Sequence, residues 1–237
     1  MILFCGDPHG HFGHIIEAVQ EHQPAAVILL GDLQAQRPLE VELAPILDKT
    51  EVWFIHGNHD TDSEVDHDHL FGSTLAERNL HGRVVEIAGL RIAGLGGIFR
   101  GGVWGPPALA LFETSEQYLA RCGKGNFWRD GLPLTHRSTI FPVDYERLQK
   151  QRADILVTHE APSSHPHGFA AIDELARRLG VSTSFHGHHH DQLDYSLERA
   201  RLGFNAFGVG FRGIIDQDGQ TKTENVIWKS LFRTSPE

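Results

Sequence analysis

Met1-Ile2-Leu3-Phe4-Cys5-Gly6-Asp7-Pro8-His9-Gly10 is an apolar run that stops at a glycine and then presents an aspartate and a histidine two positions apart. The same pattern recurs twice. Val27-Ile28-Leu29-Leu30 runs into Gly31-Asp32, and Val52-Trp53-Phe54-Ile55 runs through His56 into Gly57-Asn58-His59-Asp60. Short uninterrupted aliphatic runs suit strands of a sheet covered on both faces. Between the first two, Phe12 to His22 carries Ile15, Ile16 and Val19 at helical spacing and is closed by Pro24. Leu39 to Leu47 predicts a second helix before the third strand. A β-α-β-α-β order implies right-handed crossovers and a mostly parallel sheet, so the fold class is α/β. Loops at the carboxyl ends of such strands are where open α/β sheets build their sites.

Further along, Val84 to Ala88 and Leu90 to Leu95 read as a strand pair about Gly89. Residues 96 to 141, rich in glycine, proline and aromatics, break the pattern, with one helix expected near Glu113 to Arg121. A long irregular segment inside a compact domain is usually functional, and its aromatics favour an ordered flap. Val143 to Lys150 returns to helix, Asp154 to Val157 to strand, and Phe169 to Leu179 to helix. After that the signal is β: Thr183 to His186, Leu193 to Leu197, Leu202 to Phe207, Val209 to Asp216 and Thr223 to Trp228, with Asp218-Gly219 as a hairpin turn between the last two. No repeat or linker divides the chain. Residues 1–237 are therefore read as one domain with a flap at about 97–140.

Composition narrows the function classes. The chain has 237 residues, enough for a well-buried core, and a formal net charge of −10 with histidines neutral. That balance argues against broad nucleic-acid binding, which needs a basic face. Cys5 and Cys122 are the two cysteines, one in a buried strand and one in a loop, so no disulfide is expected and a reducing, cytoplasmic compartment is. The amino terminus reads as a first strand rather than a signal peptide, and no run approaches the roughly 18 apolar residues of a membrane span.

Two further segments offer donors: Thr158-His159-Glu160 after the run Asp154 to Val157, and Gly187-His188-His189-His190. Asp7 and His9 reach one ion from a single turn. Asp32 carries a carboxylate, which can bridge two ions, and Asn58 offers an amide oxygen. In an extended segment His188 and His190 face one way and His189 the other. Asp7, His9, Asp32, Asn58, His159, His188 and His190 mix oxygen and nitrogen, which suits a pair of divalent or transition-metal ions.

In order, D-x-H, G-D, G-N-H-[DE], H and G-H-x-H resemble the calcineurin-like metallophosphoesterase superfamily, and the match spans residues 6 to 190. The resemblance implies a metallophosphoesterase-type β-sandwich flanked by α-helices, a four-layer αββα arrangement. It implies that Asp7, His9, Asp32 and His190 hold one metal, and that Asp32, Asn58, His159 and His188 hold the other. Two ions drawn from Mn, Fe, Zn or Ni are the expected cofactors. A metal-bridging hydroxide would attack phosphorus, with His59 as general acid and Asp60 as a candidate to orient it.

Within residues 30 to 160 the chain is also similar to RNA lariat debranching enzymes. Gly31-Asp32-Leu33-Gln34-Ala35-Gln36-Arg37 resembles their G-D-F-Q-A block with its following arginine. Leu90 to Arg100 resembles their G-x-R-I-x-G-x-x-G-I segment, and Gly125-Asn126-Phe127 with Arg137-Ser138-Thr139-Ile140 their substrate loop. Those enzymes commonly carry cysteine where Asp7 stands. Protein phosphatases of the superfamily carry an acid where this chain has Ala35, which weakens that reading. The expected partner is a phosphate-ester substrate, a phosphodiester first, with nucleotide or RNA among the candidates. A phosphomonoesterase is the alternative, and a non-catalytic scaffold of the same fold a further one. Arg37 and Arg100 are candidate phosphate contacts. Trp104, Phe127, Trp128 and Arg129 on the flap are candidates to stack on a base.

Overall fold

The computed structural model describes residues 1–222; the expected strand at Thr223 to Trp228 lies outside them. Among the described residues, ten strands form two sheets. The first sheet contains β1 (Ile2–Cys5), β2 (Ala26–Leu30), β3 (Glu51–Ile55) and β10 (Ile214–Asp216), in the order β10-β1-β2-β3. The β1–β2 and β2–β3 pairs are parallel, and β10 closes the edge antiparallel to β1. The second sheet contains β4 (Arg83–Ile87), β5 (Leu90–Leu95), β6 (Ile155–Thr158), β7 (Thr183–His186), β8 (Leu193–Asp194) and β9 (Asn205–Gly208), in the order β4-β5-β6-β7-β9-β8.

Alternation along β1 shows how the layers are specified. Ile2 and Phe4 point into a core shared with Ile92, Val157 and Phe185 of the second sheet. Leu3 and Cys5 point the other way, onto Ile15, Ala18 and Val19 of α1 (Gly13–His22). A strand buried on both faces needs apolar residues at every position, and β1 and β2 are buried throughout. The Phe4 and Phe185 rings stack across the sandwich at 3.8 Å and 9°.

The expected helix at Leu39 to Leu47 is split into α2 (Leu39–Glu42) and a 3-10 turn at Ala44–Ile46, with Pro45 inside the turn. A helix the sequence did not announce, α3 (Glu64–Phe71), follows the third glycine loop and is capped by Ser63, whose side chain accepts from Asp66 N–H. The helix α4 (Ser115–Arg121) lies in the flap. On the outer face of the second sheet, α5 (Pro142–Gln149) and α6 (Ala170–Leu179) bury Tyr145, Leu148, Ile172, Leu175 and Leu179 against Ala93, Leu95 and Leu156. Gly180, at φ 74°, ends α6 in the left-handed conformation that glycine adopts without strain. The architecture is therefore helices, sheet, sheet, helices: the four-layer αββα sandwich.

The carboxyl-terminal β signal resolves differently from its sequence pattern. The strand at Leu193 to Leu197 is only Leu193–Asp194, because Ser196–Glu198 turns into a 3-10 helix. Leu202 belongs to α7 (Arg199–Leu202), not to β9. Val209 to Gly213 is a loop rather than a strand. Asp218-Gly219 does make the tight turn, with Gly219 N–H donating to Asp216 O at 3.0 Å and Thr221 bridging Ile215.

Three of the flap's stacking candidates, Trp104, Trp128 and Arg129, are engaged within the protein. Trp104 packs edge-on against Phe99 and Tyr145 at 5.0 and 5.1 Å. Trp128 lies under the guanidinium groups of Arg129 and Arg137 and against His67 of α3. Arg129 grips Asp68 of α3 with both terminal nitrogens, at 2.6 and 2.7 Å. These side chains tie the flap down, so Trp104, Trp128 and Arg129 are not free to stack on a base. Among the described residues no helix is long and apolar enough to cross a membrane.

Candidate metal centre

Each donor segment leaves the carboxyl end of a strand. Asp7 and His9 follow β1, Asp32 follows β2, Asn58 and His59 follow β3, His159 follows β6, and His188 and His190 follow β7. The sandwich brings the ends of both sheets to one edge. His159 makes the crossing: its Nδ1–H donates to Leu30 O of the opposite sheet at 2.8 Å.

The donors fall into two overlapping groups. Asp7, His9, Asp32 and His190 present ligand atoms within 4.8 Å of one another, and so do Asp32, His159 and His188. Asp32 belongs to both. Asn58 joins the second group, with Oδ1 3.3 Å from His159 Nε2. His9 Nε2 lies 3.0 Å from His190 Nε2, and His159 Nε2 lies 3.3 Å from Asp32 Oδ1. A third group, Glu160, His188 and His189, shares His188.

The loops are built for this convergence. Asp7, His9, Asp32, His188 and His190 all have positive φ, between 35° and 74°. Non-glycine residues rarely do, and each such residue costs on the order of 1–3 kcal/mol, a strain typical of functional sites. The glycines have a steric reason. A Cβ on Gly57 would stand 2.2 Å from Asp32 Oδ1, and one on Gly31 would stand 2.5 Å from His159 Nδ1.

Ring tautomers are set from behind. His9 Nδ1–H donates to Gln34 Oε1 at 2.6 Å, as His159 Nδ1–H does to Leu30 O. Each bond leaves the Nε2 lone pair for the cluster, which is how histidine is presented to a cation. The donor chemistry and the orientation therefore both fit divalent or transition-metal ions. Gln34→Leu is expected to weaken metal affinity by roughly 10- to 100-fold with the fold retained. Competition with a chromogenic chelator measures it; unchanged affinity would remove Gln34 from the support of His9.

The charges show what compensates the cluster without a cation. Burial pushes the Asp7 carboxyl up to about 7, against the opposing charge of His159. Burial also opposes ionisation of Asp32, but the charge and hydrogen bond of His159 outweigh it and hold Asp32 well below the usual range. Against its own burial, His159 is raised to about 10, chiefly by Asp32.

His59 stands at the open side. Its backbone N–H donates to Asp32 Oδ1 at 2.9 Å, its ring is 5.6 Å from that of His9, and its side chain is 44% exposed. Asp62, not Asp60, orients it: His59 Nδ1 is 2.5 Å from Asp62 Oδ2. Asp60 is a buried brace whose two oxygens accept from Gln34 N–H and Gly57 N–H, clamping two donor loops together. Burial, then the charge of Asp32, raises its carboxyl to about 7.

The two arginines part company. The Arg37 guanidinium is taken up by Glu42, with Nε and Nη2 at 3.3 and 3.0 Å. Arg100 is half-buried, donates to Ser138 Oγ at 3.3 Å, and keeps a buried Nε without a partner. Burial lowers its pKa from the usual value, against the opposing charges of Asp62 and Glu160. Gln34, Asp62 and Phe211 are site residues that sequence reasoning gave no role. The Phe211 ring packs against His9 and His190 at 5.6 and 5.1 Å. Asp62 was recoverable from its place three residues after His59, one helical turn away.

Comparison with known proteins agrees with this geometry. The family described as Calcineurin-like phosphoesterase matches residues 1–192. An uncharacterized protein of Haemophilus influenzae is 46% identical over 219 residues, covering 92% of this chain and 95% of that one. The solved structure of TT1561 from Thermus thermophilus superposes with a TM-score of 0.62 at 15% identity, covering 95% of this chain and 98% of that one, a likeness of fold.

Proposed function

The chain belongs to the calcineurin-like phosphoesterase family, and from that premise we propose that it is a metal-dependent phosphoric ester hydrolase acting on a phosphodiester. The carrying observation is the pair of donor groups that overlap at Asp32. Asp7, His9, Asp32 and His190 would hold one divalent or transition-metal ion, and Asp32, Asn58, His159 and His188 a second. When bound, such ions supply positive charge against the phosphoryl oxygens and a nucleophilic water at neutral pH. The residues do the rest. Asp60 fixes the two loops that carry Asp32 and Asn58. His59, oriented by Asp62, donates a proton from Nε2 to the leaving oxygen. Arg100 neutralises charge on a phosphoryl oxygen beside that pair, while Arg37 has no part because Glu42 occupies it.

The diester preference rests on the resemblance of residues 30 to 160 to debranching enzymes, with a nucleotide or RNA strand as the substrate. The same reading treats residues 1–237 as one domain whose flap, at about 97–140, borders the site. It places the protein in a reducing, cytoplasmic compartment, supported by the two unpaired cysteines, Cys5 and Cys122. Reconstitution of metal-free protein with Mn, Fe, Zn or Ni singly, assayed on bis-p-nitrophenyl phosphate beside p-nitrophenyl phosphate, tests it. Metal-dependent turnover with the diester preferred is expected. Preference for the monoester would replace the diester reading, and no metal-dependent turnover of either would sink the hydrolase.

A further inference from the structure

Beside the metal centre, on the side of the Gly187-His188-His189-His190 loop, lies a cavity of about 570 Å³. That is within the size range of small-molecule sites. His165, His167, His189, Tyr195, Asp191 and Ser164 line it, and its wall contains no lysine or arginine. Four of these six side chains are flat rings. The wall also holds unused polar capacity: Ser164 Oγ and His189 Nε2 are buried with no hydrogen-bond partner in the protein.

The arrangement discriminates among ligand classes. A third metal ion fits poorly. The His165 and His189 rings are stacked at 3.9 Å and 14°, so their in-plane lone pairs run side by side instead of converging. Among the described residues, the donor groups with metal spacing include His189, with Glu160 and His188, but neither His165, His167 nor Asp191. A second phosphate also fits poorly, because the charged member of the wall is the carboxylate of Asp191. What suits rings and a carboxylate acceptor is a flat, uncharged heterocycle that carries an amino donor. Carboxylates accept from the exocyclic amine of cytosine, and aromatic side chains stack on any base. Position agrees as well. His189 on the cavity wall lies between His188 and His190 in the chain, and its ligand nitrogen lies within 4.8 Å of that of His188, so the cavity adjoins the metal centre.

The geometry points to a nucleobase subsite in this cavity, selective for bases with an exocyclic amine, which receives the nucleoside next to the scissile phosphate. This rests on the phosphodiesterase reading and assigns to the cavity the base contact that Trp104 and Trp128, packed internally, do not supply. His167 and Asp191 are both exposed, so their replacement does not threaten the core.

Two measurements test it. The p-nitrophenyl esters of deoxycytidine 5′-phosphate and thymidine 5′-phosphate are compared with bis-p-nitrophenyl phosphate, and kcat/KM is read as a ratio so that any general loss of activity cancels. In the unaltered protein the deoxycytidine ester is expected to be favoured, mainly through a lower KM. His167→Ala should cut its advantage over bis-p-nitrophenyl phosphate by roughly 5- to 150-fold, the range of one stacked base. Asp191→Asn should abolish the preference for deoxycytidine over thymidine. Separately, deoxycytidine is titrated into metal-free protein by NMR, where shifts are expected at the His165, His167 and His189 ring resonances. Unchanged ratios in both variants, or no ring shifts, overturn the subsite even where bis-p-nitrophenyl phosphate is still turned over, and the phosphodiesterase reading then stands. Ring shifts in a protein that turns over no diester uphold base binding in the cavity and sink the phosphodiesterase reading instead.

Discussion

Asp32→Asn is expected to leave at most one weakly held cation per chain and to reduce diester turnover by more than the roughly 100-fold that loss of a supporting residue reaches. The reason is placement. Asp32 belongs to both donor groups and is 1% exposed, so no water can replace its charge. Asparagine keeps the shape and can still accept the His59 N–H that Asp32 Oδ1 accepts at 2.9 Å. The fold should therefore survive, which separates loss of metal from loss of structure. In the metal-free protein the raised pKa of His159, about 10, means that it holds a proton at neutral pH. Its contribution to folding is full below the unfolded value of about 6.5 and is lost as pH rises through 10. Metal loading near pH 7 must expel that proton, so the unaltered protein should release protons on loading. Elemental analysis showing two tightly held ions per chain in Asp32→Asn would end the bridging assignment.

Much of the site was legible because Asp7, Asp32 and Asn58 each stand beside a glycine just after an apolar run. Gly31 and Gly57 mark backbone that must come within contact of His159 and Asp32, and the strands before them fix which way the loop exits. Local signals of that kind survive in a sequence. The division of strands between two sheets did not, because it depends on long-range pairing, such as β10 returning across the chain to β1. Nor did α3, whose Glu64 to His69 stretch mixes acids and histidines without an apolar stripe. The run Val209 to Asp216 looks like one strand by composition. It is broken because its first half must pass close to Gly6, where a Cβ would stand 2.4 Å from Val209 O. That detour also carries Phe211 onto His9 and His190. The orienting partner of His59 was misplaced by two residues for a related reason. Adjacent side chains diverge, and the turn at His59–Thr61 carries Asp60 inward to the loops and Asp62 back to the ring.

His59→Ala is expected to keep both metal groups, since His59 belongs to neither, and to lose turnover by a factor on the order of 10²–10⁴, the usual worth of a general acid. The loss should depend on the leaving group. An alkyl alkoxide needs a proton as it departs, whereas nitrophenolate is stable without one. The full loss is therefore expected for dinucleotides and alkyl esters, and a much smaller one for bis-p-nitrophenyl phosphate. The pH dependence follows from the same role. An acid must be protonated to act, so turnover of alkyl esters should fall on the alkaline side as His59 loses its proton. Burial opposes the charge on His59, but the hydrogen bond to Asp62 and the charge of Asp32 together raise its pKa above 6.5. Asp62→Asn removes part of that support and should move the alkaline limb to lower pH, and His59→Ala should abolish the limb. Equal losses for nitrophenyl and alkyl esters, with the alkaline limb intact, would show that the His59 ring acts in some way other than delivering a proton, since alanine keeps the backbone N–H that Asp32 accepts.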